Sequence, residues 1–392
     1  MVETGMRVSN HRVVLLLLLL TTFGMLLTTW NLVTQFDAHH RQIASEEQEF
    51  VGFDEQHRQV AKEGIRWSGP NMDEYEPQVV NSVPSKGSDK AGGKQLRVAF
   101  AITITKDGDY LDGAAVLKES IGRIKTVHEI HYVAIVHVNV SSTLPKLKKL
   151  GYEVFSYEAP VVSSEIEGEY LRKEIDKSGC CGALELLKLR AYTLPNFDRV
   201  VLLDMDTLFV KSIDHLYKND VEIQFTYDYA MHDNKAPAPP VQGGMLLIKP
   251  SQDAFNKMVD IVRKGDFREN TGWGGTGIGW CWGGQTIQGL VSYYYNIFAK
   301  ESFKVLDPCK YNAMVTTDNC KGTPFADIYS IHYTQCQKPW DCRPSDIPLC
   351  RRMVKEWWDV RRMFERKYNL PLSTTDGCKS KSREYKSLNI IA

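Results

Sequence analysis

The chain has 392 residues, 43% of them hydrophobic, which is enough for a sizeable core and excludes a miniprotein or a disordered chain. Lys plus Arg (48) balances Asp plus Glu (48), so no overall field gathers polyanions and no nucleic-acid partner is expected. All nine cysteines fall between Cys180 and Cys378, in one part of the chain.

Residues 1–12 read as a cytosolic tail. Val13 to Val33 runs 21 residues without a charge, a length that as a helix matches the ~30 Å of a bilayer core. Arg7, His11 and Arg12 precede it, and Asp37, Glu46, Glu47 and Glu49 follow, so the positive side is N-terminal. The expectation is a transmembrane signal anchor at 13–33 in a single-pass type II protein of the Golgi membrane (or ER), with the catalytic domain luminal. A cleaved signal peptide would need a shorter apolar run and a small-residue cleavage site, which TQFDAHH does not supply. A lumen is oxidising, so at least some of Cys309, Cys320, Cys336, Cys342 and Cys350 should pair as disulfides. Nine is odd, so at least one thiol is left free or intermolecular. No C-x-x-C pair points to zinc, and the one glycosylation sequon is Asn139-Val140-Ser141.

Residues 34–95, rich in Glu, Gln, Gly, Ser and Pro and without a sustained apolar period, read as a stem. At Leu96 the texture changes: LRVAFAITI is a nearly continuous apolar run, as a strand covered on both faces requires. The helical segment GAAVLKESIGRIKT, the strand HYVAIVHVNV, a helix near STLPKLKKLG and the strand YEVFSYEA follow. Then come a helix from about Gly182 to Thr193, the strand RVVLLD and the strand GGMLLIKP. Alternation of this kind predicts an α/β fold, a mixed, mostly parallel Rossmann-like sheet flanked by helices, spanning 96–345. In 346–392, Met353, Trp357, Val360 and Phe364 recur at helical spacing with Val354 and Trp358 beside them, an amphipathic C-terminal helix expected to pack on the domain.

The sharpest chemical feature is Asp204-Met205-Asp206 at the end of RVVLLD. In an open α/β sheet, ligands bind beyond the carboxyl ends of the strands, and two hard carboxylates one residue apart suit Mn²⁺ or Mg²⁺ with a diphosphate as co-ligand. At Asp204 to Leu208 the sequence resembles glycosyltransferase family 8, the glycogenin-like retaining transferases with a GT-A, nucleotide-diphospho-sugar transferase fold. Four further segments resemble the family in its order. Ile104 to Leu117 is similar to the opening loop and first helix; there the resemblance implies Tyr110 stacking on uracil and Thr105 contacting the nucleoside, in a loop one residue longer than the family's. Leu187-Lys188-Leu189-Arg190 matches the helix whose lysine, here Lys188, reaches the donor sugar. Gln242-Gly243-Gly244-Met245 is similar to the strand that brings backbone to that sugar, with Gln in place of the more usual Asn. Gly283-Gly284-Gln285 aligns with Gly-x-Asp-Gln, so Gln285 matches and Gly284 stands where the family has Asp. Ile331-His332 through Lys338-Pro339-Trp340 is close to the family's ending, implying His332 as third metal ligand and Lys338 on the diphosphate, although Gln335 replaces a Gly. Met205, between the ligands, joins the donor-binding set.

The resemblance spans about Leu96 to Trp340 and implies a Mn²⁺-dependent (Mg²⁺ possible) retaining transferase. It would carry a hexose or pentose from a UDP-sugar to a glycan, glycoprotein or glycolipid acceptor. Lacking the family's Asp, it would attack from the departing face, with Gln285 positioning or stabilising. The Trp-rich loop TGWGGTGIGWCWGG is the expected acceptor wall, its aromatics stacking on sugar rings. Two rivals are a catalytically inactive, Golgi-anchored protein that binds nucleotide sugar or a partner, favoured by Gly284, and a metal-dependent nucleotidyltransferase, disfavoured by the acids of Lys106-Asp107-Gly108-Asp109. Donor sugar, acceptor and oligomeric state carry no readable motif.

Overall fold

The computed structural model describes residues 94–108, 111–232, 235–373 and 385–388. The tail 1–12, the expected span 13–33, nearly all of the stem 34–95 and Tyr110 lie outside them. No helix among the described residues is long and apolar enough to cross a membrane.

Strand β1 (Arg97–Ile104) is followed by α1 (Leu111–Arg123), β2 (Glu129–His137), α2 (Leu144–Lys149), β3 (Glu153–Tyr157) and α3 (Glu169–Glu174). A tight 3-10 segment (Gly182–Thr193) stands where sequence periodicity suggests an ordinary helix, and β4 (Arg199–Leu203), β5 (Thr207–Phe209), β6 (Ile223–Tyr227) and β7 (Val241–Ile248) come next, β5 outside the main sheet. Helix α4 (Gln252–Lys264) begins at a Ser251 side-chain cap on the Ala254 N–H. The short hairpin β8 (Phe267–Arg268) and β9 (Gly272–Trp273), α5 (Ile287–Tyr293), β10 (Phe303–Val305), α6 (Asp318–Lys321), β11 (Ser330–His332) and α7 (Pro348–Lys367) follow.

The seven-stranded sheet runs β10-β6-β7-β4-β1-β2-β3. β7 is antiparallel to both neighbours, while the other pairs are parallel, so the sheet is mixed and mostly parallel. Successive residues of one strand feed opposite cores, as a pleat of period two requires. Ala99, Ala101, Val200 and Leu202 face the 3-10 segment, α4 and α5, whereas Val98, Phe100, Ile102, Val201 and Leu203 face α1. With both faces covered, all of β4 is buried, which explains its unbroken apolar sequence.

A third cluster sits beside the two main ones, joining Leu208 of β5, Ile331 of β11 and Tyr333 to Met353, Trp357, Trp358 and Val360 of α7. The amphipathic face read from the sequence is therefore turned inward, against the domain. Two disulfides staple this end, Cys309–Cys320 and Cys336–Cys350, and Cys342 is also disulfide-bonded. Cys180, Cys181 and Cys281 are free thiols.

Candidate active site

The site forms where β4 runs out. Thr207 donates to the Asp204 carbonyl from its N–H (3.2 Å) and its Oγ1 (2.7 Å), so the chain turns through Asp204-Met205-Asp206 straight into β5. The Asp204 N–H donates to the Gly244 carbonyl at 3.1 Å, tying this turn to β7. β5 then pairs antiparallel with β11, setting His332 opposite Thr207, and the Tyr333 N–H donates to the Asp206 carbonyl at 2.9 Å. Backbone ladders, not side-chain contacts alone, bring the acids and the distant histidine together.

His332 Nε2 stands 3.3 Å from Asp206 Oδ1 and 3.9 Å from Asp204 Oδ2. One ligand atom from each of the three side chains lies within 4.8 Å of the others. Carboxylate oxygens plus one imidazole form a donor set that fits Mn²⁺ or Mg²⁺. The ring is buried, and its Nδ1 has no hydrogen-bond partner among the described residues. Gly244 makes space for it: a Cβ there would lie 2.3 Å from two ring atoms. The glycine of Gln242-Gly243-Gly244 thus admits a ligand ring, whereas Gly243 would tolerate a Cβ at ordinary contact distance.

Two lysines flank the acids. Lys188 Nζ lies 2.8 Å from Asp204 Oδ1, 3.4 Å from Glu185 Oε1 and 3.4 Å from the Gly243 carbonyl that accepts from it. Burial works against its charge, but Asp204 and Glu185 prevail and hold the ammonium well above the usual lysine range. Lys338 Nζ is 3.2 Å from Asp206 Oδ2 and is itself 46% exposed, so it can turn toward a solvent-side anion. For Asp206, burial opposes ionisation, yet His332 and Lys338 keep the carboxyl below its ordinary range. The result is a carboxylate pair already neutralised by cations on two sides.

The opening loop lies beside this cluster. Thr105 follows β1, half-buried, and its side chain hydrogen-bonds the Cys181 thiol. Asp107 accepts from the Thr143 N–H (2.8 Å) and the Ser141 N–H (3.0 Å), which anchors the loop and takes that acid out of the site. At the start of α1, Gly113 lets the helix press on the metal turn, because a Cβ there would lie 2.5 Å from the Met205 carbonyl. Met205 itself is half-buried against the α1 side of the core.

Gln242 is buried and committed internally: its Oε1 accepts from the Gly244 N–H at 2.7 Å and from Asn312 Nδ2 at 3.4 Å. Gln285 is half-buried in the turn before α5, next to Thr286, whose hydroxyl donates to Glu185. A side chain at position 284 has no room, since a Cβ there would lie 1.8 Å from the Gly279 carbonyl. The acceptor-wall expectation needs correction for Trp273. Trp273 is fully buried and donates through Nε1 to the Gly284 carbonyl at 2.8 Å, and Trp280 packs on Phe267 and Tyr170; Trp282 alone of the three is exposed.

Three groups escaped the motif reading. Glu185 and Thr286 link Lys188 to the Gln285 turn; the Glu185/Lys188 spacing of three was a visible signal, Thr286 had none. Asp228, at the end of β6, is buried, hydrogen-bonded to Gln242 and close enough to His332 to feel its charge, and burial raises its carboxyl above the usual range.

Residues 101–268 match the family model described as "Glycosyl transferase family 8". That match spans 168 of the 392 residues. Galactinol synthase 4 of Arabidopsis thaliana is 20% identical over 312 residues, covering 70% of this chain and 84% of that protein. Glycogenin-1 of Oryctolagus cuniculus is 22% identical over 276 residues, covering 66% and 74%. Among solved structures, the WbbM bifunctional glycosyltransferase is similar with a TM-score of 0.44 and 13% identity, over 73% of this chain; this chain covers 53% of that one, about half its length. The matched residues contain the metal turn, Lys188 and the Gln242-Gly243-Gly244 strand, and the protein is a glycosyltransferase. His332, Lys338 and Gln285 lie beyond the matched residues, and the fold returns the first two to the same turn.

Proposed function

We propose that this glycosyltransferase moves a hexose or pentose from a UDP-sugar, with retention, to a glycan, glycoprotein or glycolipid acceptor, using Mn²⁺ (or Mg²⁺). The observation that carries the reading is the Asp204, Asp206, His332 cluster with a lysine on each side. A divalent cation held by those three residues supplies Lewis-acid stabilisation of charge on a departing diphosphate. Lys338, half-exposed, neutralises the same diphosphate as a point charge. Lys188 holds Asp204 in place and reaches the sugar by giving up its long contact to Glu185 or to the Gly243 carbonyl. Glu185 fixes Lys188 from behind and, through Thr286, orients the turn that carries Gln285.

Position 284 supports attack from the departing face. A double displacement needs a nucleophile at the anomeric centre, and the amide of Gln285 is a poor one, while the neighbouring backbone leaves no space for a carboxylate. The charge-free run at 13–33, with its positive N-terminal flank, supports a type II protein of the Golgi membrane or ER acting in the lumen, and the disulfides at the C-terminal end accord with an oxidising compartment.

The test is UDP release from a panel of UDP-sugars with Mn²⁺ and mixed glycan acceptors, beside Asp204→Asn and Asp206→Asn. Release from one donor, lost by about a hundredfold or more in the variants, is expected. Absence of UDP binding by the unaltered protein would overturn the reading.

A further inference from the structure

The C-terminal segment 385–388 returns to the first turn of α1 and is held there by a buried polar cluster. Asp112, the second residue of α1, is 5% exposed, and its Oδ2 accepts from the Tyr385 hydroxyl, the Leu388 N–H (2.8 Å) and Arg361 Nη1 (3.5 Å). Arg361 of α7 is 2% exposed and spends its other donors on Glu365 Oε1 (2.9 Å), the Tyr385 oxygen (2.5 Å) and the Lys386 carbonyl (2.6 Å). Its guanidinium also lies over the rings of Trp358 and Tyr385, 5.0 and 4.9 Å from their centroids. Glu365, equally buried, accepts from the N–H (2.7 Å) and hydroxyl (3.0 Å) of Ser373.

Burying two acids and an arginine contributes little net stability compared with apolar packing, so its consequence is better sought in geometry. The atom held is one residue from Gly113, whose backbone presses on the Met205 carbonyl between the two metal-site acids. It also stands at the helix start that ends the opening loop after Thr105. A second tie between the same helices, Lys367 Nζ to Glu119 Oε2 at 2.9 Å, lies two turns farther along α1, away from the site.

We propose that Tyr385 and Asp112 are positioning residues for the donor nucleotide: the segment 385–388 clasps the first turn of α1 and thereby sets the opening loop and the metal turn for UDP. This rests on the nucleotide reading of the site given above. Tyr385 touches no reacting atom in this scheme; it acts through Asp112. Losing its hydroxyl leaves a buried carboxylate with one donor fewer, and the first turn of α1 loosens while the α1/α7 contact elsewhere stays in place.

The experiment uses the full chain as wild type, Tyr385→Phe and Lys367→Ala. UDP affinity with Mn²⁺ is measured by calorimetry, and amide hydrogen exchange is followed by mass spectrometry. Tyr385→Phe is expected to weaken UDP binding about fivefold and to speed exchange about tenfold in the peptide covering the start of α1, with Lys367→Ala changing neither. General destabilisation speeds exchange across the sheet as well, and so is distinguished from the clasp. The proposal is overturned if Tyr385→Phe matches wild type in both measurements, if its faster exchange is global, or if Lys367→Ala has the same effect. Failure of wild type to bind UDP removes the nucleotide reading and the role of Tyr385 with it, whereas unchanged exchange in Tyr385→Phe removes the clasp alone.

Discussion

The metal cluster and the glycine- and tryptophan-rich segment 272–285 are built on different principles. On the metal side, charged side chains do the work and the backbone supports them: Asp204, Asp206, His332, Lys188 and Lys338 converge from the turn between β4 and β5, strand β11, a 3-10 segment and a loop. Residues 272–285 instead contribute backbone and packed rings, with Gly279 and Gly284 close to each other and to Gly289 and Trp273 donating to the Gly284 carbonyl. A motif scan reads the first easily, because each residue type there has chemistry of its own. The second yields little, because what matters is the space each residue leaves empty.

The sharpest way to break this contrast is Gly284→Asp, which restores the carboxylate that family 8 relatives are expected to carry. If backbone packing defines this segment, the new Cβ cannot fit against the Gly279 carbonyl, and stability falls by about 3–5 kcal/mol without a gain in turnover. A denaturant titration beside a UDP-release assay checks both halves. An active, stable Gly284→Asp variant would mean that the loop adjusts.

Next in size is the staple that carries Lys338. Replacing Cys336 and Cys350 together by Ala opens a crosslink whose cysteines are 14 residues apart, and about 3 kcal/mol of stability is expected to go with it. Thermal melts in the absence and presence of Mn²⁺ and UDP should show that ligand partly restores what the disulfide supplied.

Gly244→Ala probes the metal cluster through the one glycine whose emptiness it needs. Displacing the His332 ring should lower Mn²⁺ affinity by about 10–100-fold, read by calorimetric titration, with Gly243→Ala as the tolerated neighbour. Equal affinities in the two variants would remove His332 from the ligand set.

The smallest effect is expected at Trp282. Being 44% exposed, it should change stability by less than about 0.5 kcal/mol on Trp282→Ala, whereas the fully buried Trp273→Ala should lose about 3–5 kcal/mol. Acceptor saturation curves then show whether the exposed indole serves a sugar; an unchanged acceptor KM would leave that segment without an aromatic platform.

Several elements were legible before folding for stated reasons. The apolar run of β1 and the unbroken RVVLL of β4 announce doubly covered strands, and the spacing of Met353, Trp357, Val360 and Phe364 announces the buried face of α7. Asp204 and Asp206 stand out because a buried strand runs directly into two acids. Asp228 did not, since a buried carboxylate looks in sequence like any loop aspartate. The 3-10 geometry of 182–193 was also hidden, because its apolar spacing is equally compatible with an ordinary helix.

Taken alone, the sequence determined the alternation of strands and helices, the metal-turn acids, the candidate lysines, and the concentration of cysteines toward the C-terminal end, because each is encoded in residue type and near-neighbour spacing. Tertiary structure decided which of those residues meet. His332 reaches Asp206 through the pairing of β11 with β5, Gly244 opens the space for its ring, and Tyr385 arrives at Asp112 from the far end of the chain. Those contacts depend on strand register and on which glycine, Gly244 rather than Gly243, faces the ring, and residue type alone settles neither.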